Sequence, residues 1–279
     1  MDCRGKQLVF GGRTLIMGIL NVTPDSFSDG GYYLDAQNAT DHAEMMVAEG
    51  ADIIDVGGES SRPGASPVSA DDELARVLPV IEAIADKVDV PISIDTYKST
   101  VARQALEAGA NIVNDITALR GDPEMADSIA QMGAGVVLMH MKGTPRTMQR
   151  SPSYQDVVTE VITWLQQRIG TAKARGILPE RIMVDPGIGF GKSLNRSHNL
   201  QILRRLDEFR CLNKPLLIGT SRKAFIGKIL GLPEGDRVEG TAATVAWSIA
   251  HGADVVRVHD VKAMRRVADM TDAIYRLRC

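Results

Sequence analysis

The apolar positions of this chain come in short runs without alternation, starting near residues 14, 52, 91, 111, 136, 181, 215 and 254. Such runs mark strands buried on both faces, as in a parallel sheet covered by helices. Four of them grow out of one recurring phrase. It reads Glu49-Gly50-Ala51-Asp52-Ile53-Ile54-Asp55, then Ala108-Gly109-Ala110-Asn111-Ile112-Val113-Asn114. It returns as Met132-Gly133-Ala134-Gly135-Val136-Val137-Leu138 and as His251-Gly252-Ala253-Asp254-Val255-Val256-Arg257. The glycine suits the left-handed position that closes a helix, and the β-branched residues after it suit a strand. Helical patterns fill the gaps, over residues 36–49, 72–85, 154–174, 196–209, 238–250 and 262–277. Eight strands with helices between them predict an α/β fold of the (β/α)8 or TIM-barrel kind; an open doubly wound sheet is the alternative that the repeat leaves open. Residues 6–13, with Gly11-Gly12 as the turn, predict a hairpin plugging the barrel bottom. No linker or low-complexity tract divides the chain, so residues 1–279 read as one domain.

Composition mainly excludes. Hydrophobic residues are 44% and aromatics only 4%, so the core is aliphatic. The formal net charge of −3 leaves no basic excess for a nucleic-acid backbone. No apolar stretch is long enough for a membrane-spanning helix, and residues 1–7 are polar, unlike a secretory signal. Cys3, Cys211 and Cys279 are an odd count without paired spacing, which argues against disulfides or a cysteine-held zinc and fits a reducing cytoplasm. The five histidines show no metal-ligand spacing.

In a barrel, chemistry gathers at the carboxyl ends of the strands. There the sequence places Asn21, Asp55, Asp95, Asn114, His140, Asp185, Gly219 and Arg257, each after an apolar run. A lone strand-end Asp is commonly a helix cap or turn former, and Asp115 and Asp260 read as caps. Residues 187–193 resemble a phosphate loop, but Pro186 stands where the first glycine belongs, so a turn letting a ligand approach the backbone is the better reading. The eighth, first and second strands are neighbours in a barrel. Arg257, His259, Asn21 and Arg62 therefore form a cationic arc suited to a polyanion such as diphosphate. Asp95, Asn114, Asp185 and Lys223 form the facing arc, whose acceptors suit the adjacent N–H donors of a 2-amino-4-oxo pyrimidine edge. Ser221 reads as the cap of a helix starting at Arg222, whose amides would take a carboxylate or phosphate.

Two long motifs are recognisable. Met17-Gly18-Ile19-Leu20-Asn21-Val22-Thr23-Pro24-Asp25-Ser26-Phe27-Ser28-Asp29-Gly30-Gly31 resembles the first signature of the dihydropteroate synthase family. Asp55-Val56-Gly57-Gly58-Glu59-Ser60-Ser61-Arg62-Pro63-Gly64 resembles the second. Asp185 to Lys192, Ser221-Arg222-Lys223 and Arg257-Val258-His259-Asp260 follow in the family's order. The resemblance implies a pterin-binding barrel, a target of sulfonamides and usually a homodimer. Its reaction joins 4-aminobenzoate to the diphosphate ester of 6-hydroxymethyl-7,8-dihydropterin, with Mg2+ as cofactor held at Asn21. It implies pterin contacts at Asp95, Asn114, Asp185 and Lys223, lined by Met139, Phe190 and Gly219. Diphosphate contacts fall on Asn21, Arg62, Arg257 and His259, and aminobenzoate contacts on Phe27, Ser61, Pro63, Ser221 and Lys223. Catalysis falls on Asp95, Arg257, His259 and Lys223. The family commonly has Thr where this chain has Ser61, which keeps the hydroxyl and loses a methyl. The rival readings are a pterin-barrel methyltransferase working with a corrinoid protein, which needs no Arg62/Arg257/His259 arc, and a non-catalytic pterin-binding paralogue.

Overall fold

Among the described residues of the barrel strands, only Asn21, Asp95 and Arg257 are not buried, and all three are polar. The structure, a computed structural model, describes residues 1–22, 31–62, 64–194, 197–233 and 235–276, without the side chains of residues 31–36. A short hairpin, β1 (Asp2–Cys3) and β2 (Lys6–Gln7), precedes the barrel. The barrel runs β3 (Leu15–Asn21), α1 (Gly31–Ala48), β4 (Ile53–Gly57), α2 (Ala70–Ala85), β5 (Ile92–Asp95) and α3 (Ser99–Glu107). It continues with β6 (Ile112–Asp115), α4 (Met125–Met132), β7 (Gly135–Met139), α5 (Val157–Ala174), β8 (Ile182–Asp185) and α6 (His198–Arg204). It ends with β9 (Leu217–Ile218), α7 (Ala224–Leu230), α8 (Val238–Ala250), β10 (Val255–Val258) and α9 (Val261–Tyr275).

All pairs in the eight-stranded sheet are parallel, in the order β8-β7-β6-β5-β4-β3-β10-β9. A bridge between Val184 and Leu216 joins the two ends of that order, so the sheet closes into a ring. Closure removes the open doubly wound alternative.

Strand alternation divides the core in two. Leu15, Met17, Ile53, Ile112, Val137, Met183, Leu217 and Val255 point inward and fill the lower barrel. Their outward neighbours, such as Ile16, Ile54, Val136 and Val256, pack under the helices. The hairpin's Cys3 and the following Leu8 seal the inner cluster from below. The plug is therefore present, but its turn is Arg4-Gly5, both at positive φ, rather than Gly11-Gly12. The helix expected over residues 196–209 breaks at Arg205, where α6 gives way to a 3-10 turn over Leu206–Leu212. The helix expected from residue 154 starts at Val157, because the Asp156 carboxylate caps it by accepting from the amides of Val158 and Thr159.

Candidate active site at the barrel mouth

Two residues further along most strands, the same inward face turns polar. Asp55, Asn114, Asp185 and Arg257 stand one step above Ile53, Ile112, Met183 and Val255, and Asp95 stands above buried Ser93. Register sets Gly57 beside Asp95, Asp95 beside Asn114, and Met139 beside Asp185.

Arg257 is the centre of this layer. Its Nε donates to Asp55 Oδ2 at 2.6 Å, and its Nη2 donates to Asp95 Oδ2 at 2.7 Å. Asn114 donates through Nδ2 to the same Asp55 oxygen at 3.1 Å. Burial pushes the Asp95 carboxyl up to about 7, against the pull of Arg257. Burial opposes the charge on Arg257, but Asp55 and Asp95 outweigh it and raise its pKa. Two carboxylates thus tie Arg257 to the acceptor group, while Arg257 also lies near enough to His259 to lower its pKa, so the two arcs meet at Arg257. Sequence reading placed Asp55 at a strand end but gave it no role in the site, although an ionisable residue between Ile54 and Val56 in a wholly buried strand was the available signal.

On the other side, Asp185 Oδ1 accepts from the Gly187 amide at 2.7 Å. Burial raises the Asp185 pKa, while Lys223 and that amide hold it down. Lys223 Nζ donates to the Ile188 carbonyl and lies 4.6 Å from the centroid of the Phe190 ring. Burial lowers its pKa to about 8, with Asp185 opposing. Met139 packs with Ile116, Met141 and Met148, and Phe190 and Tyr97 lie against them, giving an apolar wall. Gly219 faces the Arg257 and Lys223 side chains, since a Cβ there would lie 3.8 Å from Arg257 Cβ and 3.9 Å from Lys223 Nζ.

The glycine turn after β8 is packed closely against the rest of the protein. Gly187, Gly189 and Gly191 are all at positive φ. What approaches them is the protein itself: the His140 carbonyl, the Lys223 methylenes and the Lys142 backbone respectively.

Ser221 does not cap a helix. Its hydroxyl lies 2.9 Å from His259 Nδ1 and accepts from the His259 amide at 3.1 Å, while α7 begins at Ala224 without a side-chain cap. Asp260 precedes α9 but makes no capping bond either; it holds the Arg222 guanidinium at 3.0 and 2.5 Å. Arg222 sits at φ 55, so this ion pair holds a left-handed backbone between Ser221 and Lys223. Asp115 does not cap a helix either: it forms the turn after β6, accepting from the amides of Thr117 and Leu119, and α4 begins only at Met125. Burial and the nearby Arg257 and Arg222 lower the His259 pKa to about 4, so at neutral pH it is a neutral donor rather than part of a cationic arc.

Ser61 is half-buried and Arg62 exposed on the loop after β4. That loop is anchored at Glu59, which accepts from Tyr97 Oη at 2.9 Å and pairs with Lys98. Lys98 also pairs with Glu73, a carboxylate that is almost wholly buried. Asn21 ends β3 opposite Gly57, where a Cβ would lie 3.8 Å from Asn21 Oδ1 and 3.9 Å from Asp95 Oδ2. Phe27 and Pro63, and with them much of the first motif, lie outside the described residues.

Among the described residues no group of three His, Cys, Asp or Glu side chains forms a metal site. Asn21 offers one neutral oxygen, and the carboxylate beside it is held by Arg257. That donor set suits Mg2+ arriving with an anionic ligand, not a resident ion.

The profile of the pterin binding enzyme family matches residues 17–259. A dihydropteroate synthase of Synechocystis sp. is 49% identical over 268 residues, covering 96% of this chain and 92% of the relative. The chain belongs to the dihydropteroate synthase family. A crystal structure of a family member from Clostridium difficile in the presence of pteroic acid has a TM-score of 0.91 at 47% identity, covering 97% of this chain and all of that one. A member from Xanthomonas albilineans, solved with 4-aminobenzoic acid, has a TM-score of 0.92 at 42% identity, covering 99% and 98%. The family's barrel is thus matched along the whole chain.

Proposed function

We propose that this chain catalyses the dihydropteroate synthase reaction. It transfers the (7,8-dihydropterin-6-yl)methyl group from its diphosphate ester to 4-aminobenzoate, giving 7,8-dihydropteroate and diphosphate. The observation that carries this reading is the layer of Asp95, Asn114, Asp185 and Lys223 above a sealed apolar core. Its carboxylates accept the ring's adjacent N–H groups, and the Lys223 ammonium donates to the ring carbonyl. Met139 and Phe190 supply the apolar wall. The pteroic acid and 4-aminobenzoic acid in the family structures support the same ligands here.

The C–O bond of the ester breaks and its electron pair leaves with diphosphate. The amine nitrogen of aminobenzoate forms the new bond to the methylene and loses a proton. Arg257 and Arg62, with the neutral His259 as an N–H donor, receive the charge growing on the leaving group. Asp95 stabilises positive charge at the methylene. Mg2+ carried on the diphosphate, with Asn21 as a protein ligand, would neutralise leaving-group charge. Incubating the protein with dihydropterin diphosphate, aminobenzoate and Mg2+ and measuring diphosphate release tests the reading. Binding of the pterin without diphosphate release would favour the non-catalytic paralogue.

A homodimer is part of this proposal. The neighbouring helices α7, α8 and α9 expose Ile229, Leu230, Trp247, Met270 and Ile274, apolar surface suited to a second copy. The cytoplasm suits the cysteines, since Cys211 is exposed and free and burial pushes the buried Cys3 thiol up to about 12. No described helix is long and apolar enough to cross a membrane.

Two results follow from the site's charges. Calorimetry of the ligand-free protein should show little Mg2+ binding, because Asn21 is neutral and lies near Arg257's ion pairs; a tight apo site would refute the substrate-borne metal. The pH profile of kcat/KM should be a narrow bell. Asp95 must be ionised to accept, so activity falls as pH drops through about 7. Lys223 must be protonated to donate, so activity falls as pH rises through about 8. The acid limb should vanish in Asp95→Asn, and its survival there would assign it to another group.

A further inference from the structure

Lys192 follows the glycine turn after β8, is fully buried, and has no part in the chemistry above. Wholly buried lysines are rare unless paired, because a charge taken out of water must be compensated. Here Nζ ends in a cradle of three acceptors. It lies 2.7 Å from His140 Nδ1, 2.6 Å from the Pro186 carbonyl oxygen and 3.1 Å from the His140 carbonyl oxygen. An ammonium has three N–H groups, one for each, with the His140 proton then on Nε2. Burial, with Lys192 beside it, keeps the His140 imidazole neutral and therefore able to accept. Burial also pulls the Lys192 pKa down, while Asp185 opposes that loss and Lys192 in turn favours ionised Asp185.

The cradle joins two elements. His140 follows β7, and Pro186 opens the turn after β8. A Cβ on Gly187 would run into the His140 carbonyl, so the turn is pressed onto that strand end. The same turn carries the Gly187 amide that aims Asp185, the Ile188 carbonyl that receives Lys223, and the Phe190 ring under the Lys223 ammonium.

We propose that Lys192 is a positioning residue for pterin recognition: it clamps the turn at residues 186–190 to the end of β7 and so fixes Asp185 relative to Lys223. This rests on the pterin reading of the site. A lysine needed only for folding would alter stability and leave pterin affinity per folded molecule unchanged.

Three variants test it. Lys192→Met keeps the stem and removes all three donors. His140→Leu removes one acceptor, and His140→Asn returns an acceptor near the position of Nδ1. The readouts are calorimetric affinity of folded protein for 6-hydroxymethyl-7,8-dihydropterin, and KM and kcat for both substrates. Lys192→Met should weaken pterin binding and raise the pterin-substrate KM by about tenfold or more, equivalent to ~1.4 kcal/mol. Aminobenzoate KM should stay within about twofold and kcat should fall less than pterin affinity, as expected when ground-state binding is lost. His140→Leu should move the same quantities less, and His140→Asn should restore them. A folded Lys192→Met protein with wild-type pterin affinity overturns the proposal. If that variant does not fold, equal pterin affinity in the two His140 variants overturns it. A wild-type protein that binds no pterin fails the underlying reading instead, so the two failures are distinct.

Discussion

Arg257→Ala should lower turnover by about 10²–10³-fold and weaken the fold at the same time. The first effect is the loss of a preorganised cation where charge builds in the transition state. The second comes from what Arg257 holds at rest. Asp55 is completely buried, and its Oδ2 depends on the guanidinium and Asn114. Breaking a buried pair by removing one partner costs about 3–5 kcal/mol. Arg257 is itself 21% exposed, which puts the expected loss at the lower end. For a protein of this size that is a Tm drop on the order of 10 °C. Asp95 also loses the cation that lowers its pKa, so the acid limb of the pH profile should move above 7. Adding Asp55→Asn to the variant separates the two roles. It should recover most of the Tm and none of the turnover. Wild-type kcat in Arg257→Ala would remove the residue from the chemistry.

Asp185→Asn should weaken pterin binding about ten- to several-hundred-fold while changing kcat less. The amide can still accept from Gly187, but it presents a donor where the ring also donates. A buried polar group left unpaired costs about 1–3 kcal/mol, more beside charge, and each 1.4 kcal/mol is about tenfold in affinity. Charge is involved on the protein side too, because Lys223 and Lys192 both act on this carboxylate. Asp185 is what holds the Lys223 pKa up against burial. The alkaline limb of the pH profile should therefore shift below about 8 in the variant. A residue that only shaped the turn would lower thermal stability and leave both pterin affinity and that limb in place.

Much of the fold was legible because the strands are buried on both faces. Apolar runs near residues 52, 91 and 254 correspond to strands starting at Ile53, Ile92 and Val255. The strand-end polar residues were legible for the same reason, since a charge after such a run has few places to go. Their partners were not. Nothing local says that Arg257 reaches Asp55, 202 positions away, because ring closure decides it. Ser221 and Asp260 looked like caps, but tertiary partners, His259 and Arg222, claimed their oxygens. The hairpin turn was misplaced because Arg4 adopts a left-handed backbone that its residue type does not advertise.

The two-residue spacing between the sealed core and the polar layer bears on how such an enzyme can change. Asp55, Asn114, Asp185 and Arg257 each share a short strand with a packed inward residue directly beneath. None of them can be shifted by an insertion or a slipped register without turning the core inside out. Variation in what the mouth accepts is therefore channelled into connecting segments such as the loop after β4 that carries Ser61 and Arg62. Evolution can retune selectivity there one side chain at a time while the machinery below stays frozen.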